Sequence, residues 1–258
     1  MSTTLSNKEY NYVRTKRTRW HVFDLLRGYT LLNMIFFHFL YDVFIIYGRN
    51  PDWLDGLFPN IWQQWICCTF IIISGIVFHF SRQPIRRGIV LNLIGFAITG
   101  VTILVIPEEA IWFGILNLIG FAILMTALLQ PWLRRIPSGM GLMISLLLFL
   151  LCEQIPDGFL GCYSLRILPL PDWLYQTFAG AWLGFPNARF TSSDYFPLIP
   201  WIFVFWGGYY LQPLIEKYIP ESVLTWNPVP ALSGIGRNTI WVYIAHQPIL
   251  MAICMMMF

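Results

Sequence analysis

The sequence predicts an all-α fold, a polytopic membrane helix bundle of about seven transmembrane helices, and three observations carry that prediction. Hydrophobic residues make up 57% of the 258-residue chain and charged residues only 11%, where an ordinary soluble domain is roughly a quarter charged. The apolar residues gather into runs of about 20, the length that crosses the hydrocarbon core of a bilayer. Lys and Arg concentrate on alternate connectors. This composition excludes a soluble globular enzyme and a disordered regulator, and a nucleic-acid binder would need a basic stripe that the chain lacks. Seven such runs leave no room for a second, soluble domain.

Taken in order, residues 1–20 form a polar arm with Lys8, Arg14, Lys16, Arg17 and Arg19. The arm does not open a cleavable signal, because the apolar run behind it is too long and holds Asp24, Arg27, His38 and Asp42. Hydropathy then predicts spans at 21–47, 61–80, 88–106, 111–130, 139–155, 196–215 and 239–258, one transmembrane domain over 21–258. The connectors are punctuated by Arg49-Asn50-Pro51-Asp52, Ser81-Arg82-Gln83-Pro84, Pro107-Glu108-Glu109, Pro131-Trp132 and Pro228 to Gly236. Segment 156–195 reads as a long outer loop between the fifth and sixth spans, broken by Pro156, Pro169, Pro171 and Pro186. A loop of that length is functional or re-entrant. Within it, Asp172 to Phe185 predicts a short interfacial helix capped by Asp172.

With the N-terminus inside, the inner segments hold twelve Lys and Arg, and the outer loops hold three: Arg49, Arg166 and Arg189. The positive-inside rule therefore predicts a multi-pass protein of the cell membrane with a cytoplasmic N-terminus and an extracytoplasmic C-terminus. Asp52, Asp55, Glu108, Glu109, Asp157, Asp172 and Asp194 fall outside. The five cysteines, Cys67, Cys68, Cys152, Cys162 and Cys254, are odd in number and form no CxxC. They read as small buried hydrophobes, with no metal site and no disulfide framework. The run Asn92-Leu-Ile-Gly-Phe-Ala-Ile98 recurs as Asn117-Leu-Ile-Gly-Phe-Ala-Ile123. The echo predicts close helix packing at Gly95 and Gly120; the other reading is an inverted repeat of the kind transporters carry.

Candidate chemistry concentrates on the first span, where a charge near the bilayer centre costs about 2.5–3.5 kcal/mol and needs a reason. With Asp24 at zero and about 100° per residue, Arg27 falls near 300°, His38 near 320° and Asp42 near 0°. Gly28, Leu31 and Ile35 share that sector and Asn33 lies opposite. An arc so narrow predicts that these groups face a protein interior or a wet cavity. Asp24 and Arg27, at i and i+3, form an expected ion pair near the inner surface. Asp42, one turn beyond His38, is positioned to hold one ring N–H and leave the other nitrogen as a base. Simple neutralisation and simple packing are the plain alternatives for these two pairs.

A second polar cluster, Arg237, Tyr243, His246 and Gln247, opens the last span, and a satisfied core histidine is its plain alternative. His21 and His79 lie at predicted interfaces, and Glu153 reaches water from the end of the fifth span. The inner Arg82, Arg86, Arg87, Arg134 and Arg135 suit phosphate groups of a cytosolic ligand, although topology alone also explains them. The outer Trp173, Tyr175, Trp182, Phe190, Tyr195 and Phe196 suit stacking on a sugar, and an interfacial aromatic belt predicts the same residues.

Several of these motifs match a known family. Phe23-Asp24-Leu-Leu-Arg27-Gly28, with Met34 and His38 on the same helix, resembles the opening of integral-membrane acyltransferases. The heparan-alpha-glucosaminide N-acetyltransferase catalytic-domain-like family is the nearest of these. Phe70-Ile-Ile-Ile-Ser74-Gly75, Phe113-Gly114-Ile115-Leu116, Ser193-Asp194-Tyr195-Phe196-Pro197-Leu-Ile-Pro200-Trp201 and Gly236-Arg237-Asn238 with Tyr243, His246, Gln247 and Pro248 extend the resemblance from about residue 19 to 250. The resemblance implies transfer of an acyl group, usually acetyl, from a cytosolic CoA thioester to a sugar acceptor on the far side. The lysosomal member carries its proposed catalytic histidine in the loop after the first span, whereas this chain has no histidine between His38 and His79. His38 takes that role here by inference, as the broader superfamily carries a histidine at this place.

The expected site thus has His38 and Asp42 as catalytic residues, and Asp24, Arg27, Arg86, Arg87, Arg237, Tyr243 and His246 around the CoA moiety. Ser193, Asp194 and Tyr195 stand near the acceptor. Acetyl-CoA or another acyl-CoA is a co-substrate, with no bound cofactor. The expected partners are the lipid bilayer, acyl-CoA and a sugar or glycan, with no nucleic acid. The oligomeric state stays open, a homodimer included. A proton-coupled small-molecule carrier is the alternative function, because intramembrane His and Asp also mark ion paths; a non-catalytic membrane partner is a third.

Overall fold

The computed structural model describes residues 18–162 and 165–258. Lys8, Arg14, Lys16 and Arg17 of the expected basic arm lie outside the described residues. Among the described residues, seven helical segments are long and apolar enough to cross a membrane: His21–Ile46, Leu57–Phe80, Pro84–Val105, Ile115–Leu133, Ser138–Asp157, Leu198–Tyr218 and Thr239–Met257. All seven expected spans are present, each end within a few residues. The helices are α1 (His21–Tyr41), α2 (Leu57–Ile76), α3 (Pro84–Val105), α4 (Ile115–Leu133), α5 (Ser138–Cys152), α6 (Leu198–Tyr218), α7 (Glu221–Leu224), α8 (Pro230–Arg237) and α9 (Thr239–Met257). The chain divides into two compact units, one of Met1–Leu57 with Ile219–Phe258 and the other of Phe58–Tyr218.

In the first unit, α1 is 21 residues long, so at about 1.5 Å per residue it matches the roughly 30 Å hydrocarbon core. It buries Phe23, Asp24, Gly28, Thr30, Leu31, Met34 and Phe37, while Tyr29, Leu32 and Phe36 on the other side are exposed. Of the inward arc expected from the sequence, Asp24, Gly28, Leu31 and Asp42 are buried, and Arg27, Ile35 and His38 are half-buried. Beyond Tyr41 the chain widens into a π-helical turn, Asp42–Ile46, where Tyr47 N–H donates to the Asp42 carbonyl at 2.9 Å. Such turns are rare and frequent at functional sites. Helix α8 closes on α1 through glycines: a Cβ on Gly28 would overlap the Leu232 carbonyl, and one on Gly236 would overlap the Asp24 carbonyl. Small residues at both positions let the two backbones touch.

In the second unit, α3 and α4 run antiparallel, and the repeated heptapeptide is where they meet. Asn117 fills the space beside Gly95, and Asn92 fills the space beside Gly120. Asn117 Nδ2 donates to the Asn92 carbonyl at 3.3 Å, and Asn92 Nδ2 donates to the Gly88 carbonyl at 3.0 Å. Each copy thus supplies a glycine for the other's asparagine, and the echo is a packing device. Gly75 and Gly208 do the same for α2 and α6, because a Cβ on either would strike the other helix's backbone. Tyr210 covers Gly141 of α5, and its hydroxyl donates to the Leu133 carbonyl at 3.1 Å.

The outer loop differs from expectation in two places. A short antiparallel hairpin, β1 (Phe159–Cys162) with β2 (Leu165–Pro169), follows the fifth span. The interfacial helix expected over Asp172 to Phe185 is absent, and two 3-10 turns, Asp172–Tyr175 and Phe178–Trp182, stand in its place. Asp172 makes no side-chain cap, and the run ends at Gly184, whose φ of +122° is outside the helical range. Tyrosine hydroxyls fasten this loop instead: Tyr175 donates to the Ile155 carbonyl at 2.5 Å and Tyr195 to the Ala181 carbonyl at 2.6 Å.

Candidate functional site

The first unit carries two polar clusters along α1. At its start, Arg19 Nε donates to Asp24 Oδ2 at 2.5 Å and Arg19 Nη2 to Oδ1 at 3.1 Å, while Arg27 Nη1 reaches Oδ1 at 3.5 Å. The expected Asp24–Arg27 pair is present, and Arg19 is its nearer third member. The hydrogen bond to Asp24 raises the Arg19 pKa above its ordinary value, against the opposing effect of burial. Three charged side chains in one cluster suit a carboxylate that is itself buried, since an isolated buried charge would be far more costly.

The second cluster lies about four helical turns further along. The His38 ring stands against the His246 ring of α9, centroids 5.0 Å apart and planes tilted by 60°. His246 Nδ1 is hydrogen-bonded to the Tyr243 carbonyl one turn back, and the Tyr243 ring lies 5.3 Å from the imidazole. Asp42 is fully buried, and its Oδ1 accepts from Gln247 Nε2 at 2.8 Å.

That last bond adds a partner to the one expected. Helical spacing places Asp42 to hold the His38 ring, and its Oδ1 accepts from Gln247. A buried carboxylate needs N–H donors, and a primary amide offers two where a neutral imidazole offers one. Gln247 stands 205 residues away in the chain, so helical spacing alone could not reveal the partner. Pro248 inside α9 removes a ladder N–H beside this residue, a second local signal besides the polar cluster itself.

The other expected site residues divide between the units. Arg237 ends α8 in the first unit and is exposed. In the second unit, Arg86 is exposed, with Nη1 3.4 Å from Gln83 Oε1, and Arg87 is half-buried at the start of α3. Ser193 is exposed, and its backbone N–H donates to the Ala110 carbonyl at 3.3 Å. Asp194 Oδ2 accepts the Ile115 N–H at 3.4 Å, at the first turn of α4, where an anion complements the helix end. Burial nevertheless pushes the Asp194 carboxyl up to about 6, with the Ile115 hydrogen bond acting against it. Burial likewise raises the Tyr195 phenol. His79 Nε2 lies 3.0 Å from the Tyr209 carbonyl and its ring stacks on Tyr209 at 4.3 Å, a packed arrangement.

The structure therefore brings together Asp24 with Arg27, and His38 with His246, Tyr243, Asp42 and Gln247, all within the first unit. Two of the sequence motifs meet here directly, because Gly28 and Gly236, which belong to them, form the α1–α8 contact. The motifs around Phe113 and Asp194 meet in the second unit, where Phe196 N–H donates to the Phe113 carbonyl at 3.0 Å.

A family model described as heparan-alpha-glucosaminide N-acetyltransferase, catalytic, matches residues 19–248. The match takes in both clusters of the first unit, from Arg19 to Pro248. No curated protein and no solved structure matches the chain.

Proposed function

Because the chain belongs to the heparan-alpha-glucosaminide N-acetyltransferase catalytic family, we propose that it moves an acetyl group from cytosolic acetyl-CoA to a sugar or glycan acceptor on the extracytoplasmic side. Membership makes it a membrane acyltransferase; the donor, the acceptor and the two sides are this reading's own additions. The observation that carries the reading is the His38–His246 contact inside the span that also bears the Asp24–Arg27 pair.

In this reading His38 acts as the general base. It takes the proton from an acceptor hydroxyl or amine as that group attacks the thioester carbonyl. The new O–C or N–C bond forms, the C–S bond breaks, and the proton passes to the sulfur, so that CoA leaves as the thiol. Proximity of the two reactants and correct orientation supply most of the rate. Arg27 and Arg237 lie toward the cytoplasmic end in the proposed orientation, where they suit the phosphates of CoA. Arg86 and Arg87 in the second unit have the same chemistry, and Ser193, Asp194 and Tyr195 have groups suited to an acceptor hydroxyl. Asp42 keeps a place in the machinery through Gln247.

The test is binding of acetyl-CoA by the purified protein in detergent. Acetyl-CoA is expected to raise the unfolding temperature by an amount that free CoA and ATP do not reproduce. No shift at saturating acetyl-CoA, or an equal shift with ATP, contradicts the reading.

A further inference from the structure

We infer that His246 is the positioning partner of His38, in the role that helical spacing assigned to Asp42. The inference rests on the reading of His38 as the base, and it adds a residue whose own state the structure specifies. Tyr243 offers His246 a carbonyl oxygen, which only accepts, so the ring hydrogen sits on Nδ1. In the neutral ring the lone pair is then on Nε2. That Nε2 is buried and has no hydrogen-bond partner, a state that buried polar atoms rarely keep without a reason. The ring that bears it lies against His38. An acceptor with no donor therefore stands beside a ring that carries an N–H.

The rest of the cluster supports this arrangement. Asp42 Oδ1 is occupied by Gln247 Nε2, and Gln247 follows His246 directly in α9. Their bond ties the turn of α9 that holds His246 to the turn of α1 that follows His38. Tyr243 sets the tautomer, Asp42 and Gln247 set the position, and Nε2 receives the N–H of His38. A small rotation of the rings shortens the contact, as catalytic hydrogen bonds do when substrate binds. When His38 takes the acceptor's proton, both of its nitrogens carry hydrogen. One points to His246 Nε2 and the other delivers its proton to the departing sulfur. His246 stays neutral throughout and gains no proton.

Steady-state transfer by the full chain in proteoliposomes tests this with His246→Leu, His246→Gln, His38→Ala and the His38→Ala/His246→Leu double variant. His246→Leu is expected to lower kcat by about tenfold to a hundredfold, the range seen for groups that orient a histidine, with KM for acetyl-CoA and acceptor within about twofold. His246→Gln keeps an acceptor oxygen and is expected to restore most of that kcat. In the His38→Ala background, His246→Leu should cost nothing further, because its effect runs through His38. Wild-type kcat in His246→Leu, or a further loss in the double variant, overturns the inference. A second measurement uses the unaltered protein: nitrogen NMR of labelled histidine should show His246 with hydrogen on Nδ1 and a bare Nε2, and the opposite tautomer overturns the inference too. Full activity in His38→Ala instead sinks the parent reading of His38 as base.

Discussion

Glycines bring helix backbones together in both units of the molecule, Gly28 with Gly236 in the first and Gly75 with Gly208 in the second. The polar groups near these contacts behave differently. In the second unit Asn92, Thr99 and Ser145 each donate to a carbonyl four residues back, at 3.0, 3.2 and 2.8 Å. Polar side chains satisfied by their own helix need no ligand to explain them. Where a second-unit side chain crosses between helices at the repeat, as Asn117 to Asn92, both partners are neutral. In the first unit ionisable groups are involved: Arg19 pairs with Asp24 at the start of α1, Gln247 reaches across from α9 to Asp42, and an imidazole carries an Nε2 with no partner. Burial alone does not mark a functional group in such a chain; what the group is paired with does.

That contrast breaks most visibly at His38. His38→Ala should lower acetyl transfer by about 10²- to 10⁴-fold, the usual contribution of a general base, with the yield of folded protein unchanged by size-exclusion chromatography. Glycine contacts rank next. Gly28→Ala and Gly75→Ala each force a Cβ onto a backbone carbonyl, and each should cost about 1–3 kcal/mol or more in unfolding measurements. Gly100→Ala is the control, since nothing lies within 4 Å of its added carbon. Asn117→Ala removes interhelical hydrogen bonds that average about 0.6 kcal/mol in membranes, so it should lower stability slightly and leave kcat unaltered. Loss of transfer in Asn117→Ala would erase the distinction between the units.

A separate expected effect is a pH dependence in the second unit. Asp194 is held at about 6 against an ordinary 3.8, so its protonated form is the one the fold favours. Its contribution to stability is fully present below about pH 4 and is lost as the pH rises through about 6. The unfolding temperature of the unaltered protein should fall across that window more than that of Asp194→Asn. Equal slopes would contradict the cause assigned to the shift.

The spans were legible because a run of about 20 apolar residues has few other uses, and the inward arc of α1 was legible because its polar residues recur with helical period. The hairpin was not. Its strands of four and five residues are too short for period to separate them from an apolar loop. Asp172 has the residue type of a helix cap, yet a cap only marks a start, and the extended backbone at Thr177 and the positive φ at Gly184 deny the following turns a continuous helix. At the candidate site, Asp24 with Arg27 was readable from their spacing. The pairing of His38 with His246 and of Asp42 with Gln247 was not, because each joins residues more than 200 positions apart. The ionisable composition of the site is written locally in the chain; which groups face one another is decided by the packing of α9 on α1.

The most direct test places the donor and the acceptor on opposite sides of one membrane. Protein is reconstituted with labelled acetyl-CoA sealed inside vesicles and a glucosamine-terminated glycan supplied outside, with orientation checked by protease access to the basic arm. For molecules with that arm inside, the account predicts labelled glycan in the outer medium, and about 10²- to 10⁴-fold less of it with His38→Ala. Equal labelling by His38→Ala, or labelling only when donor and acceptor share one compartment, would contradict it.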